Sequence, residues 1–516
     1  MSRPEETIAA LLGAAASEHA TRPALVGPGG VTSFAQLAPR VEALAAWLRE
    51  EGLAPGQRLV VHLLRGSEEP LLVLAALRLG AVLVDVHPQW PLERLQAVLR
   101  DVEPALVVTH PRRARELLAA SPPPPRLVVA GPGDPRWRAL PPDPPPPASP
   151  LPWPGPDDLA ALLSTSGSTG APRGVMHSQR NLARFAACVA GYLELAPTDR
   201  VLGLLPLSFG YGLNQLLTAL AAGHAWVLPR GALPADLLAS LRGEEATVLA
   251  GVASVWSSLL PLLEAGGAPL PALRLLTHAG GELPLPLARR LRAALPQARL
   301  VHMYGATETL RSTWLPADEW DRTPGALGRA VPGATVEVVA DGGARRCAPD
   351  EVGELVHAGA GLFQGYWRDP ALTAERRRPC PALGDQVAFW SGDLGRRDAQ
   401  GTLWFVSRAA WMLKSGGFRF SAREVEVALL ATGLVGEAVV LGLPDPERGQ
   451  AVVAVVTPPA GASAVDLDAL RRAAEAGLSS WMIPARWHAW QGPLPHSPNG
   501  KLDRAALRAR LEEEVA

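Results

Sequence analysis

The chain has 516 residues, 48% of them hydrophobic, and a formal net charge of -1 with an isoelectric point near 6.9. This length exceeds what one hydrophobic core usually covers, so we expect more than one domain. The balanced charge excludes the broad electrostatic attraction that nucleic acid or an anionic membrane requires. We therefore expect a small-molecule substrate and no nucleic acid, while the oligomeric state stays open.

The cysteines and the apolar segments indicate a reduced, cytoplasmic protein. Cys188, Cys347 and Cys380 are odd in number and far apart, with no CxxC pair and no cluster at metal-ligand spacing. The first residues carry acidic side chains where an export signal needs positive charge. The longest apolar stretch, 71–86, is interrupted by Arg78 and is too short for a transmembrane helix, so no membrane span is predicted.

The first hundred residues alternate strand-like and helix-like segments. Apolar runs at 59–64, 81–86 and 105–109 predict buried strands. A helix that follows Ser67 should end near Gly80, and a second helix is predicted between the last two strands. Strands that alternate with helices in this order predict a parallel sheet covered by helices.

A proline-rich stretch at 121–157 contains two runs of four prolines. Proline removes the backbone N–H donor, so we predict an extended surface connection between two lobes of one large domain. The alternation then resumes to about residue 406. After it, the pattern of helices and strands predicts a small α+β domain.

Glycine and hydroxyl residues crowd the segment 164–174, which follows an apolar run and precedes a helix predicted from Arg180. Glycines let backbone N–H groups approach a polyanion, while hydroxyls and a guanidinium add further donors. A Walker loop is excluded because GxxxxGK[ST] is absent, and a flexible Ser/Gly linker is the alternative. We predict a phosphate-binding loop composed of Thr165, Ser166, Gly167, Ser168, Thr169, Gly170 and Arg173.

Two of the 49 basic residues are lysines, Lys414 and Lys501, and the other 47 are arginines. A compact ammonium and a planar guanidinium differ in shape and hydration, so a chain this rich in arginine should keep lysine where arginine cannot replace it. We therefore predict a functional role for both lysines, with survival by chance as the alternative.

These segments resemble the acyl-adenylate-forming superfamily, which includes acyl-CoA synthetases, adenylation domains of peptide synthetases, and luciferases. The resemblance covers nearly the whole chain. It rests on further motifs in the family's order, GGE at 280–282, YGATE at 304–308, GEL at 353–355, GYW at 365–367, SGD at 391–393, the segment 408–426 and PNGK at 498–501.

The resemblance implies an ATP-dependent enzyme that converts a carboxylic acid to its acyl-adenylate and then transfers the acyl group to a thiol. The thiol would belong to CoA or to the phosphopantetheine of a separate carrier protein. It also implies an α/β large N-terminal domain (1–407) with parallel sheets covered by helices plus a β subdomain. A hinge at 408–412 would lead to a small mobile α+β C-terminal domain (413–516).

The same resemblance implies nucleotide-binding roles. Glu308 would bind the Mg²⁺ that bridges ATP phosphates, Thr307 would hydrogen-bond the α-phosphate, and Tyr304 would lie against the adenine. Asp393 would accept the ribose hydroxyls with support from Arg408. The remaining implied nucleotide-binding residues are Gly280, Gly281, Glu282, Gly305, Ala306 and Phe405. Without the resemblance, Glu308 reads as a surface carboxylate and Asp393 as part of a turn.

The resemblance also implies a separate catalytic role for each of the two lysines. Lys501 would bridge the substrate carboxylate and the α-phosphate while pyrophosphate leaves. Lys414, with Ser415, Gly416 and Gly417, would serve thiol transfer, because the glycines let a pantetheine arm pass close to the backbone. The alternatives are a solvated loop lysine at 501 and a structural hairpin lysine at 414.

Two positions depart from the family pattern. Arg173 stands where the phosphate loop usually carries lysine, a change that keeps the positive charge. The hinge reads Ser407-Arg-Ala-Ala410 and lacks the usual polar pivot. We hypothesise that the second half-reaction is slow or depends on a partner.

The segment 206–214 corresponds to the family's acid-pocket helix, so Phe209, Tyr211 and Asn214, together with Ala279, are predicted to line the acid pocket. Amino-acid-activating relatives carry an aspartate where Gly210 stands. Without that counter-ion a buried ammonium would cost several kcal/mol, so α-amino acids are disfavoured. The apolar wall predicts an aryl or medium-length acyl acid, with ordinary core aromatics as the alternative.

Three functions remain in contention. An acid:CoA ligase is favoured because the Lys-Ser-Gly-Gly loop resembles that branch and no carrier domain is attached. The rival is a stand-alone acyl-AMP ligase that loads a separate carrier protein. A nucleotide-binding regulatory protein without catalysis is suggested by Ala410 and Arg173, but the joint presence of Glu308, Asp393 and Lys501 disfavours it.

Overall fold

The computed structural model describes residues 6–120, 126–132, 134–166, 172–265, 269–415, 418–445, 449–459, 461–496 and 502–515. The chain divides into two compact units. The first contains Met1–Val336 and His357–Phe389, and the second contains Glu337–Val356 and Trp390–Ala516. The predicted hinge at 408–412 lies within the second unit, and its role stays a prediction. No helix in the described ranges is long and apolar enough to cross a membrane.

The first unit contains a large sheet whose central strands are all parallel, as the alternating pattern predicts. Its edges are closed by antiparallel strands. In spatial order the strands are Arg329–Ala330, Thr313–Leu315, Arg299–Tyr304, Leu275–His278, Val248–Gly251, Arg200–Leu202, Ala225–Val227, Pro23–Gly27 and Gly30–Ser33.

A second sheet of the same unit holds the predicted N-terminal strands, and their parallel pairing is confirmed. The helix predicted after Ser67 is confirmed as Glu68–Leu79, and Gly80 ends it with a positive φ of 77°, which glycine adopts without steric cost. The strands in spatial order are Gly365–Tyr366, Pro172–Ser178, Leu159–Ser166, Val82–Asp85, Arg58–His62, Leu106–Thr109, Leu127–Val129 and Arg138–Ala139.

The prediction of a purely extended connection at 121–157 is wrong. Leu127–Val129 is a buried strand that pairs in parallel with Leu106–Thr109, because three apolar residues without proline occur shortly after the first proline run. The stretch also does not separate two lobes, since Leu159–Ser166 returns to the same sheet beside Val82–Asp85. The prolines therefore flank a strand, and they do not exclude one from this stretch.

Helices cover both sheets of the first unit. One hydrophobic cluster joins apolar residues of both sheets with those of Phe34–Glu50, Glu68–Leu79, Gln179–Tyr192 and Gly210–Ala222, so these helices lie between the sheets. Leu92–Val102 and Pro111–Leu118 cover the opposite face of the second sheet. The other helices of this unit are Ile8–Glu18, Pro234–Gly243, Ala253–Glu264, Leu285–Ala294 and Pro370–Arg376, with a 3-10 turn at Pro381–Leu383.

A further sheet contains the SGD motif and contributes strands to both units. Its strands are Arg345–Arg346, Ala334–Ala340, Gly353–Gly359, Gln386–Arg397 and Arg377–Cys380, with Leu403–Arg408 paired to Gln386–Arg397. Short 3-10 turns occur at Asp341–Gly343 and Ala409–Trp411.

The second unit ends in the predicted α+β pattern. Ala438–Asp445, Gly449–Val456 and Arg486–Ala489 form one sheet. Met412–Ser415 and Phe418–Ser421 form a separate hairpin. The helices Ala422–Ala431, Leu467–Gly477 and Arg504–Val515 complete this part of the unit. The fold class is confirmed: an α/β large N-terminal part precedes a small α+β C-terminal part.

Candidate active site

Two loops of predicted nucleotide-binding residues follow neighbouring parallel strands of the first unit. Leu275–His278 pairs with Arg299–Tyr304, with His278 opposite His302. The GGE segment 280–282 and the segment 305–308 therefore leave the same edge of the sheet. In open parallel sheets this carboxyl edge is where ligands bind.

A buried histidine holds the first of these loops. Trp256 Nε1 donates a hydrogen bond to His278 Nδ1 at 2.9 Å, and His278 Nε2 donates to the Gly281 carbonyl at 3.1 Å. Burial lowers the pKa of His278 to about 3, so the ring is neutral and donates through one nitrogen only. Gly280 has a φ of +86°, a conformation that few other residues adopt.

The second loop presents half-exposed side chains between buried flanks. The Tyr366 hydroxyl donates to Glu308 Oε1 at 2.7 Å, and the Phe363 N–H donates to the Glu308 carbonyl at 2.8 Å. Burial, followed by the charge of Glu308, raises the pKa of Tyr366, which keeps the phenol protonated. Glu308 is therefore fixed in position by a neutral donor.

His177, on the strand Pro172–Ser178 of the second sheet, supports the same loop. Its Nε2 donates to the Thr307 carbonyl at 2.9 Å, while its Nδ1 accepts from Asn181 Nδ2 at 2.9 Å. Burial lowers the pKa of His177 to about 4 and so favours this neutral form. Gly305 lies against the chain that follows, because a Cβ there would stand 2.7 Å from Arg311 Cα.

The described residues at the two ends of the predicted phosphate loop lie on two antiparallel strands. Leu159–Ser166 pairs with Pro172–Ser178, and Thr165 stands opposite Arg173. Thus the residues at both ends of the predicted loop are strand residues, and a strand rather than a loop leads to the next helix. Gly167, Ser168, Thr169 and Gly170 lie outside the described residues, as do the side chains of Thr165 and Ser166.

Tyr366 brings the hairpin and Glu308 together. Its backbone pairs with Val175 on the hairpin, while its hydroxyl binds Glu308. The Arg173 guanidinium lies near enough to lower the pKa of Tyr366, against the stronger effects of burial and Glu308. A cation, a phenol and a carboxylate from three motifs therefore share one region of the first unit.

The predicted adenine and acid-pocket residues occupy different surroundings. The Tyr304 ring lies 5.8 Å from the ring of the buried His357. The Phe209 ring stacks on His87 at 5.5 Å. Tyr211 and Asn214 instead line a cavity of about 20 Å³.

A hydrogen bond of 2.7 Å joins Tyr211 Oη and Thr277 Oγ1 beside that cavity. Ala279 is buried immediately after the strand that carries Thr277 and does not line the cavity. The structure therefore brings Tyr211 and Asn214 together and places Phe209 and Ala279 elsewhere.

In the second unit, the predicted ribose residues form an ion pair. Asp393 and Arg408 stand opposite each other on paired strands, and Arg408 Nε lies 3.0 Å from Asp393 Oδ1. The Asp393 N–H donates a hydrogen bond to Ser391 Oγ at 3.0 Å, which fixes the backbone of the strand at the SGD motif. The Phe405 ring lies 5.5 Å from Arg423 Cζ, in a cation–π contact.

The two lysine segments are described in part. Lys414 stands opposite Arg419 in a β-hairpin next to the buried Ser415, whereas the Lys414 side chain, Gly416 and Gly417 lie outside the described residues. Lys501 also lies outside them, next to the bridge between His496 and Leu502.

Among the described residues, no group of three or more histidine, cysteine or acidic side chains could hold a metal ion. A divalent cation with all its ligands from protein is therefore not indicated there. Mg²⁺ commonly binds through one or two carboxylates, with phosphates and waters as its other ligands. The single carboxylate of Glu308 fits that pattern.

Three residues of this region were not predicted. Tyr366 belongs to a motif that was noted without a role for its hydroxyl. Arg311 and Gln215 line the small cavity next to predicted pocket residues. The sequence did offer a reason to consider Arg311, because it is a basic residue only three positions after Glu308 and leads into a strand. Gln215 carried no signal in the sequence.

Comparison with known proteins gives extended matches. Residues 12–367 match the family described as AMP-binding enzyme, and residues 424–501 match the AMP-binding enzyme C-terminal domain. A sulfoacetate–CoA ligase from Cupriavidus necator is 32% identical, covering 97% of this chain and 97% of that protein. An L-proline–[L-prolyl-carrier protein] ligase from Streptomyces coelicolor is also 32% identical, covering 95% of this chain and 94% of that protein. The crystal structure of ATP-bound MatB from Rhodopseudomonas palustris has a TM-score of 0.85 and 27% identity, covering 98% of this chain and 100% of that chain.

Proposed function

We propose that this chain, which belongs to the AMP-binding enzyme family and is thus an adenylate-forming acid ligase, passes the activated acyl group to the thiol of CoA. The family provides the first half of this reaction, in which ATP and a carboxylic acid give an acyl-adenylate and pyrophosphate.

One observation carries the assignment of roles in the first unit. Glu308 and Arg173 come from separate motifs, and Tyr366 joins their segments through a backbone pairing and a hydrogen bond. A guanidinium and hydroxyl-rich backbone suit phosphate oxygens, while a carboxylate suits the cation that accompanies them. The arrangement is what a nucleoside triphosphate requires.

The residues present fit Mg²⁺ at Glu308. Tyr366 donates a neutral hydrogen bond to Oε1 and so positions the carboxylate without adding a positive charge. When bound, Mg²⁺ would neutralise charge on the phosphates. His177 fixes the backbone carbonyl of Thr307, and the Thr307 hydroxyl would orient the α-phosphate.

Lys501 would supply the cation that joins the two reactants. The attacking carboxylate and the α-phosphate are both anionic, so an ammonium placed between them lowers their repulsion as pyrophosphate leaves. Asp393, fixed opposite Arg408, would accept hydrogen bonds from the ribose hydroxyls through its carboxylate oxygens.

Within the described lining of the cavity beside Tyr211 there is a cation, Arg311, and no carboxylate. This arrangement disfavours an α-ammonium group and agrees with the glycine at position 210. Tyr211 supplies an aromatic ring at this cavity, which supports an aryl or medium-length acyl acid.

A carrier protein as acceptor is the second candidate, and an observation favours it. Val427 and Leu430 of the helix Ala422–Ala431 are 48% and 41% exposed, and Trp481 of the same unit is 39% exposed. Val427 and Leu430 stand three residues apart on one side of this helix, and contiguous apolar patches on a surface often mark a contact with another protein. A carrier-protein ligase is also among the relatives.

The proposal is tested by acid-dependent exchange between ATP and labelled pyrophosphate. The panel contains aryl, short and medium acyl acids and α-amino acids, with Lys501→Ala as the control variant. We expect exchange with at least one aryl or acyl acid and none above background in Lys501→Ala. Added CoA should then yield a thioester, whereas a phosphopantetheine-bearing carrier protein as the sole acceptor would support the second candidate.

A third result would overturn both candidates. If nucleotide binds but no acid supports exchange, the chain would be a nucleotide-binding protein without catalysis. Exchange supported only by α-amino acids would contradict the acid class while leaving adenylation in place.

A further inference from the structure

A buried arginine beside the proposed acid pocket has no anionic partner among the described residues. Arg311 is 4% exposed. Its Nη1 donates to the Leu310 carbonyl at 3.1 Å, and its Nε has no hydrogen-bond partner. Burial lowers the pKa of Arg311, and the groups that counter this effect are the phenols of Tyr192 and Tyr211. A buried cation without a counter-ion is costly, so proteins rarely keep one without a use.

A second buried polar group faces the same cavity. Gln215 is 6% exposed, and neither its Oε1 nor its Nε2 has a partner. Buried amides are nearly always hydrogen-bonded, so the unpaired Nε2 donor indicates a bound acceptor group that would complete it. Arg311 and Gln215 line the same cavity of about 20 Å³.

The cavity adjoins both the predicted acid-pocket residues and the loop that carries Glu308. Tyr211, a predicted acid-pocket residue, also lines it, and Arg311 Cζ lies 4.1 Å from the Tyr211 ring centroid. Arg311 packs against the backbone of the loop that carries Glu308, since a Cβ on Gly305 would stand 2.7 Å from its Cα. A group in this cavity would therefore belong to a molecule that reaches the proposed reaction centre.

The chemistry of the lining selects the group. A guanidinium has a planar fork of N–H donors that matches a carboxylate, and an amide Nε2 adds a further donor. The cavity has room for roughly one to two oxygen-sized groups. A compact planar carboxylate fits this space better than a sulfonate with three oxygens.

We infer, on the premise of the proposed adenylation, that the acid substrate carries a second carboxylate, and that Arg311 and Gln215 bind it at the far end of the acid pocket. The substrate class is then a dicarboxylic acid with an apolar spacer along Tyr211. One carboxylate is activated, and the other fixes the orientation of the molecule.

The test compares size-matched acid pairs in ATP–pyrophosphate exchange. Benzene-1,4-dicarboxylate is paired with 4-methylbenzoate, and the straight-chain diacids of four to six carbons are paired with monoacids of the same length. We expect kcat/KM to be about 10- to 100-fold higher for the diacid in at least one pair, as charge-assisted hydrogen bonds allow. In Arg311→Met the diacid-to-monoacid ratio should fall by a similar factor, mainly through KM.

Matched variants separate recognition from a structural role. Arg329 also lies over an aromatic ring, with Cζ 5.4 Å from the Trp314 centroid, but it is exposed, so Arg329→Met should leave the ratio unchanged. If Arg311→Met fails to unfold cooperatively on heating, Gln215→Leu replaces it, and the ratio should fall by about 5- to 10-fold.

The outcomes distinguish this inference from the proposed function. Exchange with monoacids and no preference for any diacid would contradict the inference and leave adenylation in place. A diacid preference that survives both Arg311→Met and Gln215→Leu would also overturn it. Absence of exchange with every acid would contradict the proposed function and remove the premise of the inference.

Discussion

In the first unit, Glu308 and the GGE segment follow buried parallel strands. In the second unit, the candidate residues lie on antiparallel strands and hairpins. Glu308 accepts a hydrogen bond from a phenol, and the backbone of its loop is held by a neutral histidine. Asp393 instead faces a guanidinium across two paired strands. In the proposed roles, the first carboxylate would bind a cation, while the second, paired with Arg408, would offer its oxygens to hydroxyl groups.

The two lysines extend this comparison. Both belong to the second unit, and both lie next to glycines in sequence, at 416–417 and at 500. The first unit would thus supply fixed acceptors and donors for the nucleotide and the acid, and the second unit would supply a different ammonium for each half-reaction. Each of the following substitutions tests one side of this division.

The largest effect is expected from the two lysines taken separately. Lys501→Ala should lower acid-dependent pyrophosphate exchange by about 10²- to 10³-fold, because it removes one preorganised cation from the transition state. Nucleotide affinity, measured by calorimetry, should be retained. Lys414→Ala should keep the exchange and slow thioester formation. Equal losses of exchange in both variants would contradict the division of roles.

The carboxylate of the first unit comes next. Glu308→Gln should reduce activity at limiting Mg²⁺ by about 100-fold or more, since even partners of metal ligands contribute about 10- to 100-fold. Tyr366→Phe keeps the carboxylate and removes its donor, so a loss of about 10-fold is expected. The measurement is exchange rate against Mg²⁺ concentration. A Mg²⁺ dependence that stays unchanged in Glu308→Gln would exclude Glu308 as the ligand.

The carboxylate of the second unit should act on nucleotide binding instead. Asp393→Asn removes the charge that Arg408 balances and weakens the acceptors offered to ribose. We expect the KM for ATP to rise by about 10- to 100-fold, as for charged hydrogen bonds generally, with a smaller change in kcat. The same substitution should not alter the Mg²⁺ dependence. If Asp393→Asn raised the Mg²⁺ concentration that the enzyme requires, the proposed difference in role between Asp393 and Glu308 would be wrong.

The buried His177, which holds the Glu308 loop, leads us to predict that stability depends on pH. The pKa of His177 is about 4 in the folded chain, below its ordinary value of 6.5, so the unfolded chain binds more protons between these values. Stability therefore falls as the pH falls from 6.5 toward 4. His177→Gln should reduce the slope of the unfolding free energy by up to about 1.4 kcal/mol per pH unit. Chemical unfolding at several pH values measures this slope, and an unchanged slope would contradict the neutral buried histidine.

The smallest effect concerns the missing polar pivot. Ala410→Asp restores the residue type common in the family, and the hypothesis of a slow second half-reaction predicts faster thioester formation, by about threefold, with exchange unchanged. A single-turnover experiment that starts from the acyl-adenylate measures this step. If wild-type thioester formation already equals adenylation in rate, the hypothesis is wrong.

Much of the fold could be predicted because the local signals agree with the tertiary structure. The helix Glu68–Leu79 begins after a serine and ends at a glycine, and the strands around it are continuous apolar runs, as buried parallel strands require. The strand Leu127–Val129 was missed because three residues give no periodicity, and its burial depends on pairing with Leu106–Thr109.

Candidate site residues could be predicted only where they belong to recognisable sequence motifs. Glu308 and Asp393 became candidate residues through the family resemblance, and their roles stay predictions. The hydrogen bond between Tyr366 and Glu308 spans 58 residues, and such a long-range contact leaves no pattern in sequence spacing. Arg311 and Gln215 became candidates because the Arg311 Nε and the Gln215 amide are buried without hydrogen-bond partners, a property that exists only in the folded chain.

The most direct test of adenylation follows an oxygen atom. An acid that supports exchange is labelled with ¹⁸O in its carboxylate and converted with ATP and CoA, and the nucleotide product is analysed by mass spectrometry. Attack of the carboxylate on the α-phosphate predicts AMP that carries one ¹⁸O atom, because the bridging oxygen stays with AMP when the thiol takes the acyl group. Unlabelled nucleotide, or ADP together with labelled inorganic phosphate, would contradict the account.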